Sequence, residues 1–233
     1  MSAKADLLET RFRLNMSRIS GLVRLLSSHE ALKPSAVFGT SSGARADILR
    51  SIVVFLHTTF EVALRSHLPK PNRSLSFYSR TDLDKALKLS GIDAPPFRFL
   101  YPPLTQLAKR RQRIVHEADL SGNEPNDWSI ADDWQLIMWL LAVPTFYYQL
   151  RISLHAASMV ERPMYEKLRA AMANHVAFGK QLLAFPAVSR ELRLQALQET
   201  VVTLESIIST LHLDPRAFTA DSGKGAVPSP NHC

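Results

Sequence analysis

The stretch RRQRIVHEAD at residues 110–119 gathers the side chains best suited to chemistry. Arg111 is permanently charged, and its planar guanidinium forks onto phosphate oxygens. His116 titrates near neutral pH and can act as a general base or acid. Together they suit attack of an RNA 2′-hydroxyl on its own phosphodiester. The histidine moves the proton and the arginine stabilises charge on the phosphorane. That chemistry needs no metal, and the sequence offers no Cys/His or carboxylate cluster at metal-ligand spacing. Neither a metal nor another cofactor is therefore expected.

On a helical wheel at ~100° per residue, Leu100, Leu104, Leu107, Arg111 and Ile114 form one stripe. Lys109, Arg110 and Arg113 fall off it, where they could track an RNA backbone or serve solubility alone. A charge within an apolar stripe is costly unless it is paired or used. Pairing of Arg111 with a carboxylate across the bundle would also account for it, as would snorkelling of its head to water. His116 lies about 140° around the helix from Arg111, whereas Gln112 and His116 stack at i,i+4. A long arginine near a helix end could still reach around to it; alternatively, a second copy related by a two-fold axis would bring two Arg/His sets into one basic cleft. On the preceding long helix, Arg50, His57 and Glu61 share a side away from the apolar stripe. They either line the same cleft, with Glu61 orienting Arg111 or His116, or form a solvated face.

The elements that must hold these residues are helical throughout. Phe12, Met16, Ile19, Val23 and Leu26 predict a helix over about 4–28. Ile48, Ile52, Phe55, Thr59 and Val62 predict a second over 44–67. Thr81 is the expected N-cap of a short helix, 82–89, closed by Gly91. The motif helix starts near Pro102–Pro103, since proline is tolerated in a first turn. SGNEPND reads as a loop, and Ser129 with Asp132 as the cap of a long helix over 130–158 that Pro144 should kink or split. Trp128, Trp134 and Trp139 belong to its core side. Helices over 161–184 and 189–212 follow, the last with Leu194, Leu197, Val201, Leu204, Ile208 and Leu211 at bundle spacing. His29, His67, His155, His175 and His212 have no partner at a recognisable spacing. No strand-like alternation and no Gly-rich phosphate loop occur.

The expected fold is therefore an all-α helical bundle. It divides into a helical domain over 1–158, a C-terminal helical hairpin over 159–213 packed on or extending the bundle, and a disordered tail over 214–233. The 233 residues can bury a core without staples, and the mean hydropathy is near zero. Cys233 is the single cysteine, so no internal disulfide forms. The N-terminus carries acids and arginines too early for a signal peptide, and the apolar run 137–148 is too short to span a bilayer. A cytoplasmic protein without a membrane partner is expected. The net charge of +7 favours polyanions.

Arg111, Gln112, three residues and His116 resemble the R-polar-xxx-H motif of HEPN domains. The setting is similar too. DILRSIVVFLHTTFEVALRSHL at 47–68 resembles the long helix before that motif, and DWSIADDW resembles the start of the helix after it. The likeness covers roughly residues 5–155 and is nearest to the RiboL-PSP-HEPN group. It implies an antiparallel all-α bundle of HEPN type with extra C-terminal helices, dimerising through the motif helices. It further implies a metal-independent endoribonuclease acting in toxin–antitoxin or antiphage defence systems, with an antitoxin or regulatory partner. Arg111 and His116 would be catalytic and Gln112 would position. Members that keep the fold without turnover imply the alternative, an interaction module binding RNA, nucleotide or a partner protein. Two departures stand out. Gln112 occupies a position usually held by Asn, Asp or His. Ala118 stands where one subgroup carries a tyrosine that is modified.

Overall fold

Phe12, Met16, Ile19, Val23 and Leu26 are all buried, so the stripe that predicts the first helix is the face that helix buries. The structure, a computed structural model, describes residues 3–27, 44–67, 77–116, 120–121, 124–125, 130–155, 157, 159, 161–184 and 190–209. Among them are seven α-helices: α1 Ala3–Ser27, α2 Ala44–His67, α3 Arg80–Leu89, α4 Tyr101–His116, α5 Ile130–Ser153, α6 Glu161–Ala184 and α7 Arg190–Ser209. A 3-10 turn, Pro95–Leu100, leads into α4. The described residues are all-α apart from one antiparallel ladder between α4 and α5. There β1 (Leu120–Ser121) pairs with β2 (Glu124–Pro125), Leu120 facing Pro125. Strands of two residues are too short for alternation to reveal, so this segment reads as a plain loop.

α5 is the central helix. Every residue from 139 to 151 is buried, including Trp139, Phe146, Tyr147 and Tyr148. A helix buried on all sides needs neighbours all round. α2, α4, α6 and α7 supply them, while α1 packs on α2 and α7. Pro144 lies inside α5, which remains one helix and ends at Ser153 rather than near 158. Proline removes the backbone donor that would serve the Leu140 carbonyl, and next to it the Thr145 hydroxyl donates to the Leu141 carbonyl at 2.6 Å. Among the described residues no helix is long and apolar enough to cross a membrane.

Two expectations about smaller elements are corrected. Ser79, not Thr81, caps α3, its hydroxyl accepting from the Asp82 amide at 3.1 Å. Gly91 does close α3, with φ +70°. The Ile92 amide reaches the Leu87 carbonyl at 2.9 Å and the Gly91 amide reaches Lys88 at 3.0 Å, a Schellman closure that only glycine enters without cost. On α2 the buried face is Leu49, Ile52, Val53, Leu56, Phe60 and Leu64, while Phe55 and Val62 are exposed. The apolar residues of α2 fit two overlapping phases, and the packed one lies about a residue from the one expected.

The C-terminal pair is joined to the rest through charge as well as apolar contact. α6 packs along α5, and α7 along α1 and α5. Where α1, α5 and α6 meet, Glu9, Arg13, Arg151 and Glu161 form a buried quartet. Arg13 pairs with Glu9 and stands 3.7 Å from Glu161. Arg151 reaches Glu161 at 3.0 Å and Glu9 at 3.4 Å. The Tyr147 hydroxyl donates to Glu9 at 2.6 Å, and burial beside that carboxylate pushes its pKa up. Arg24 of α1 pairs with Glu205 of α7 at the surface. Ser129 and Trp128 lie outside the described residues, as does the tail over 214–233.

Candidate active site

α4 begins with Pro102 and Pro103 in its first turn, where no backbone donor is needed. The Tyr101 hydroxyl donates to Asp84 of α3 at 2.6 Å and anchors that end. Burial and the neighbouring carboxylate push the Tyr101 pKa up, so it stays a donor. Leu104, Leu107 and Ala108 are buried and seat the helix on the bundle. The last turns then carry the charged residues.

Arg111 is half-buried in the phase of that apolar face, as the wheel places it. Its Nη1 donates to the Tyr78 hydroxyl oxygen at 3.4 Å. The same hydroxyl donates to Gln112 Oε1 at 2.8 Å. One tyrosine thus joins both motif residues. With Oε1 turned to the tyrosine, the Gln112 amide nitrogen points the other way, as a donor. His116 is exposed at the end of α4. Among the described residues no hydrogen bond joins it to Arg111 or Gln112, so one chain does not bring the pair together. Lys109, Gln112 and Arg113 line an open cleft of about 340 Å³ beside Tyr78.

Arg110 is a correction. It is 5% exposed, not an outward charge free to track RNA. It lies at the edge of an apolar arc broader than the narrow stripe read from the sequence, since Tyr101, Pro103 and Ala108 are buried as well. Glu61 is a second correction. It holds neither Arg111 nor His116 but pairs with Arg65 on its own helix at 2.8 Å. Arg50 likewise pairs locally, with Asp47 at 2.9 Å.

His57 overturns the solvated-face expectation most clearly. It is 2% exposed, and neither ring nitrogen has a hydrogen-bond partner. Its ring lies nearly parallel to that of Tyr78, centroids 6.3 Å apart at 14°. Glu61 stands 3.8 Å from its Nδ1. Burial lowers its pKa to about 4, Glu61 opposing and Arg111 and Arg65 assisting, so the ring is neutral at pH 7. Phe77, just before Tyr78, is buried with φ +55°, an unfavourable conformation for a bulky residue. The Arg65 guanidinium sits 4.8 Å from its ring centroid. α2 therefore clamps the Phe77–Tyr78 pair, which in turn aims Arg111 and Gln112.

Sequence reasoning missed Tyr78, because a loop residue carries no periodicity. Among the other histidines, His67 bonds the Ala63 carbonyl at 2.7 Å and His175 lies 3.4 Å from the Thr200 hydroxyl. Among the described residues no three His, Cys, Asp or Glu side chains gather so as to hold a metal ion. Compared with protein-family models, curated proteins and solved structures, the chain matches none.

Proposed function

We propose that the chain is a HEPN-type, metal-independent RNA endonuclease acting as a homodimer, in a toxin or antiphage defence setting with an antitoxin or regulatory partner. His116 takes the proton of a 2′-hydroxyl, whose oxygen attacks the adjacent phosphorus. The protonated His116 returns that proton to the departing 5′-oxygen, and the product ends in a 2′,3′-cyclic phosphate. Arg111 stabilises the phosphorane charge, Gln112 positions the phosphate, and Lys109 and Arg113 attract the strand. The observation that carries this reading is the single Tyr78 hydroxyl bonded to both Arg111 and Gln112. It pre-orients two polar groups beside a basic cleft, the kind of fixed arrangement that transition-state stabilisation needs.

The test is cleavage of RNA by purified protein in EDTA, with analysis of the ends formed. Wild type should cleave and leave 2′,3′-cyclic phosphates. Arg111→Ala and His116→Ala should each lose at least about a hundredfold in rate while keeping their helical circular dichroism. Wild type that binds RNA but leaves it intact would make the chain a non-catalytic module instead. Loss of fold in Arg111→Ala would make that arginine structural.

A further inference from the structure

A second groove lies at the other end of α4, between the 3-10 turn Pro95–Leu100, α5 and α6, with a volume of about 450 Å³. That size falls in the range of small-ligand sites. Its floor includes Gln149 of α5, a polar side chain only 9% exposed. The Gln149 amide nitrogen donates to Ser153 at 3.3 Å, and among the described residues its carbonyl oxygen accepts no hydrogen bond. On one wall Phe99 is 45% exposed, carried on a turn stiffened by Pro95 and Pro96. On the other wall α6 presents Arg162, Glu166 and Arg169. These recur at i, i+4 and i+7, so the arginines stand about 10 Å apart along one helix face. Neither is held in an ion pair among the described residues. Arg169 lies one turn after the buried Tyr165, close enough that its charge acts on that phenol.

Each part has a counterpart in one ligand class. An exposed aromatic face stacks a base, and stacking tolerates any base. The Gln149 amide oxygen, open to the groove, accepts from an exocyclic amine, as on adenine or cytosine. Two guanidinium groups fork onto phosphates. A carboxylate between them accepts from ribose hydroxyls. A simple phosphorylated metabolite would use the arginines but leave Phe99 and Gln149 without a role. We propose that this groove binds one amine-bearing nucleotide, either free or as a unit of an RNA strand. The length of α4, about 24 Å, separates this end of the helix from His116. The proposal does not depend on the ribonuclease reading, since binding is measured without turnover.

The experiment titrates the full chain with AMP, UMP and a twelve-nucleotide oligoadenylate RNA, using calorimetry for the nucleotides and anisotropy for the labelled RNA. AMP should bind more tightly than UMP. Phe99→Ala and the pair Arg162→Ala/Arg169→Ala should each weaken binding by about tenfold or more, because stacking and paired phosphate contacts are each worth that much. All of these residues are surface-facing, and unchanged circular dichroism will verify folding. Arg111→Ala should bind AMP as wild type does. Binding of AMP identifies a free nucleotide as the occupant, whereas binding of RNA alone, weakened by the same variants, identifies a strand. The proposal is overturned if neither AMP nor the RNA binds, or if the groove variants bind as well as wild type. UMP binding as tightly as AMP overturns the amine-bearing assignment.

Discussion

Tyr78 and His57 show how single side chains set the candidate site. The tyrosine hydroxyl is donor to Gln112 and acceptor from Arg111, and its ring lies nearly parallel to a buried imidazole, centroids 6.3 Å apart. Replacing it by phenylalanine keeps the ring and removes only the oxygen. A hydrogen bond of this kind contributes about 1 to 1.5 kcal/mol, so Tyr78→Phe should lower kcat/KM for RNA roughly tenfold with little change in Tm. Unchanged kcat/KM in an active enzyme would remove the positioning role. His57 makes a prediction independent of catalysis. In the folded chain it takes its proton only near pH 4, against about 6.5 when unfolded. Between those values the unfolded state binds more protons, so stability falls as pH drops through that window. The gap is worth roughly 3 kcal/mol. His67 and His175 are also lowered by burial, so the comparison must isolate His57. Between pH 7 and pH 4.5, urea denaturation of wild type should lose roughly 2 to 3 kcal/mol more than that of His57→Phe. Equal losses would show that His57 is not the group responsible.

At the scale of elements, the buried quartet ties α6 to α1 and α5. Glu161 stands in the first turn of α6, where the helix dipole favours an anion, and Arg151 near the end of α5 bonds it. Breaking a buried pair leaves the partner's charge without compensation. Arg151→Met should therefore cost about 3 to 5 kcal/mol in chemical denaturation. A cost below about 1 kcal/mol would mean that water reaches the cluster. The sequence carried part of this arrangement. Glu9 is in phase with Phe12, Met16 and Ile19, so the reasoning that singled out Arg111 applies equally to Glu9. Arg151 gives no such signal, because α5 is buried all round and has no polar face to contrast with. α1 was legible for the opposite reason: its single apolar stripe admits one phase. α2, with two overlapping phases, hid the burial of His57. The site divides in the same way. Arg111 was legible as a charge in an apolar phase, whereas Tyr78 was not, since its placement depends on a turn through Phe77 that periodicity does not encode.

For the whole molecule the decisive question is how His116 meets Arg111. Both lie on α4, about 140° apart around its axis, and no hydrogen bond links them in one chain. Arg111 is pinned inward by Tyr78, while His116 is exposed beside Val115, itself an exposed aliphatic. A two-fold axis across the ends of two α4 helices would cover Val115 and set His116 of one chain against Arg111 of its partner. That geometry is tested by mixing defects. Arg111→Ala and His116→Ala homodimers should each be inactive. A heterodimer purified through two different affinity tags retains one Arg111 and one His116, on opposite chains. If each site draws one residue from each chain, one of two sites is intact and activity returns to about half of wild type. If each site is built within a chain, both are broken and the heterodimer is as inactive as its parents. Sedimentation velocity on the same sample establishes that the heterodimer stays assembled, so an inactive result can be assigned to the site rather than to dissociation.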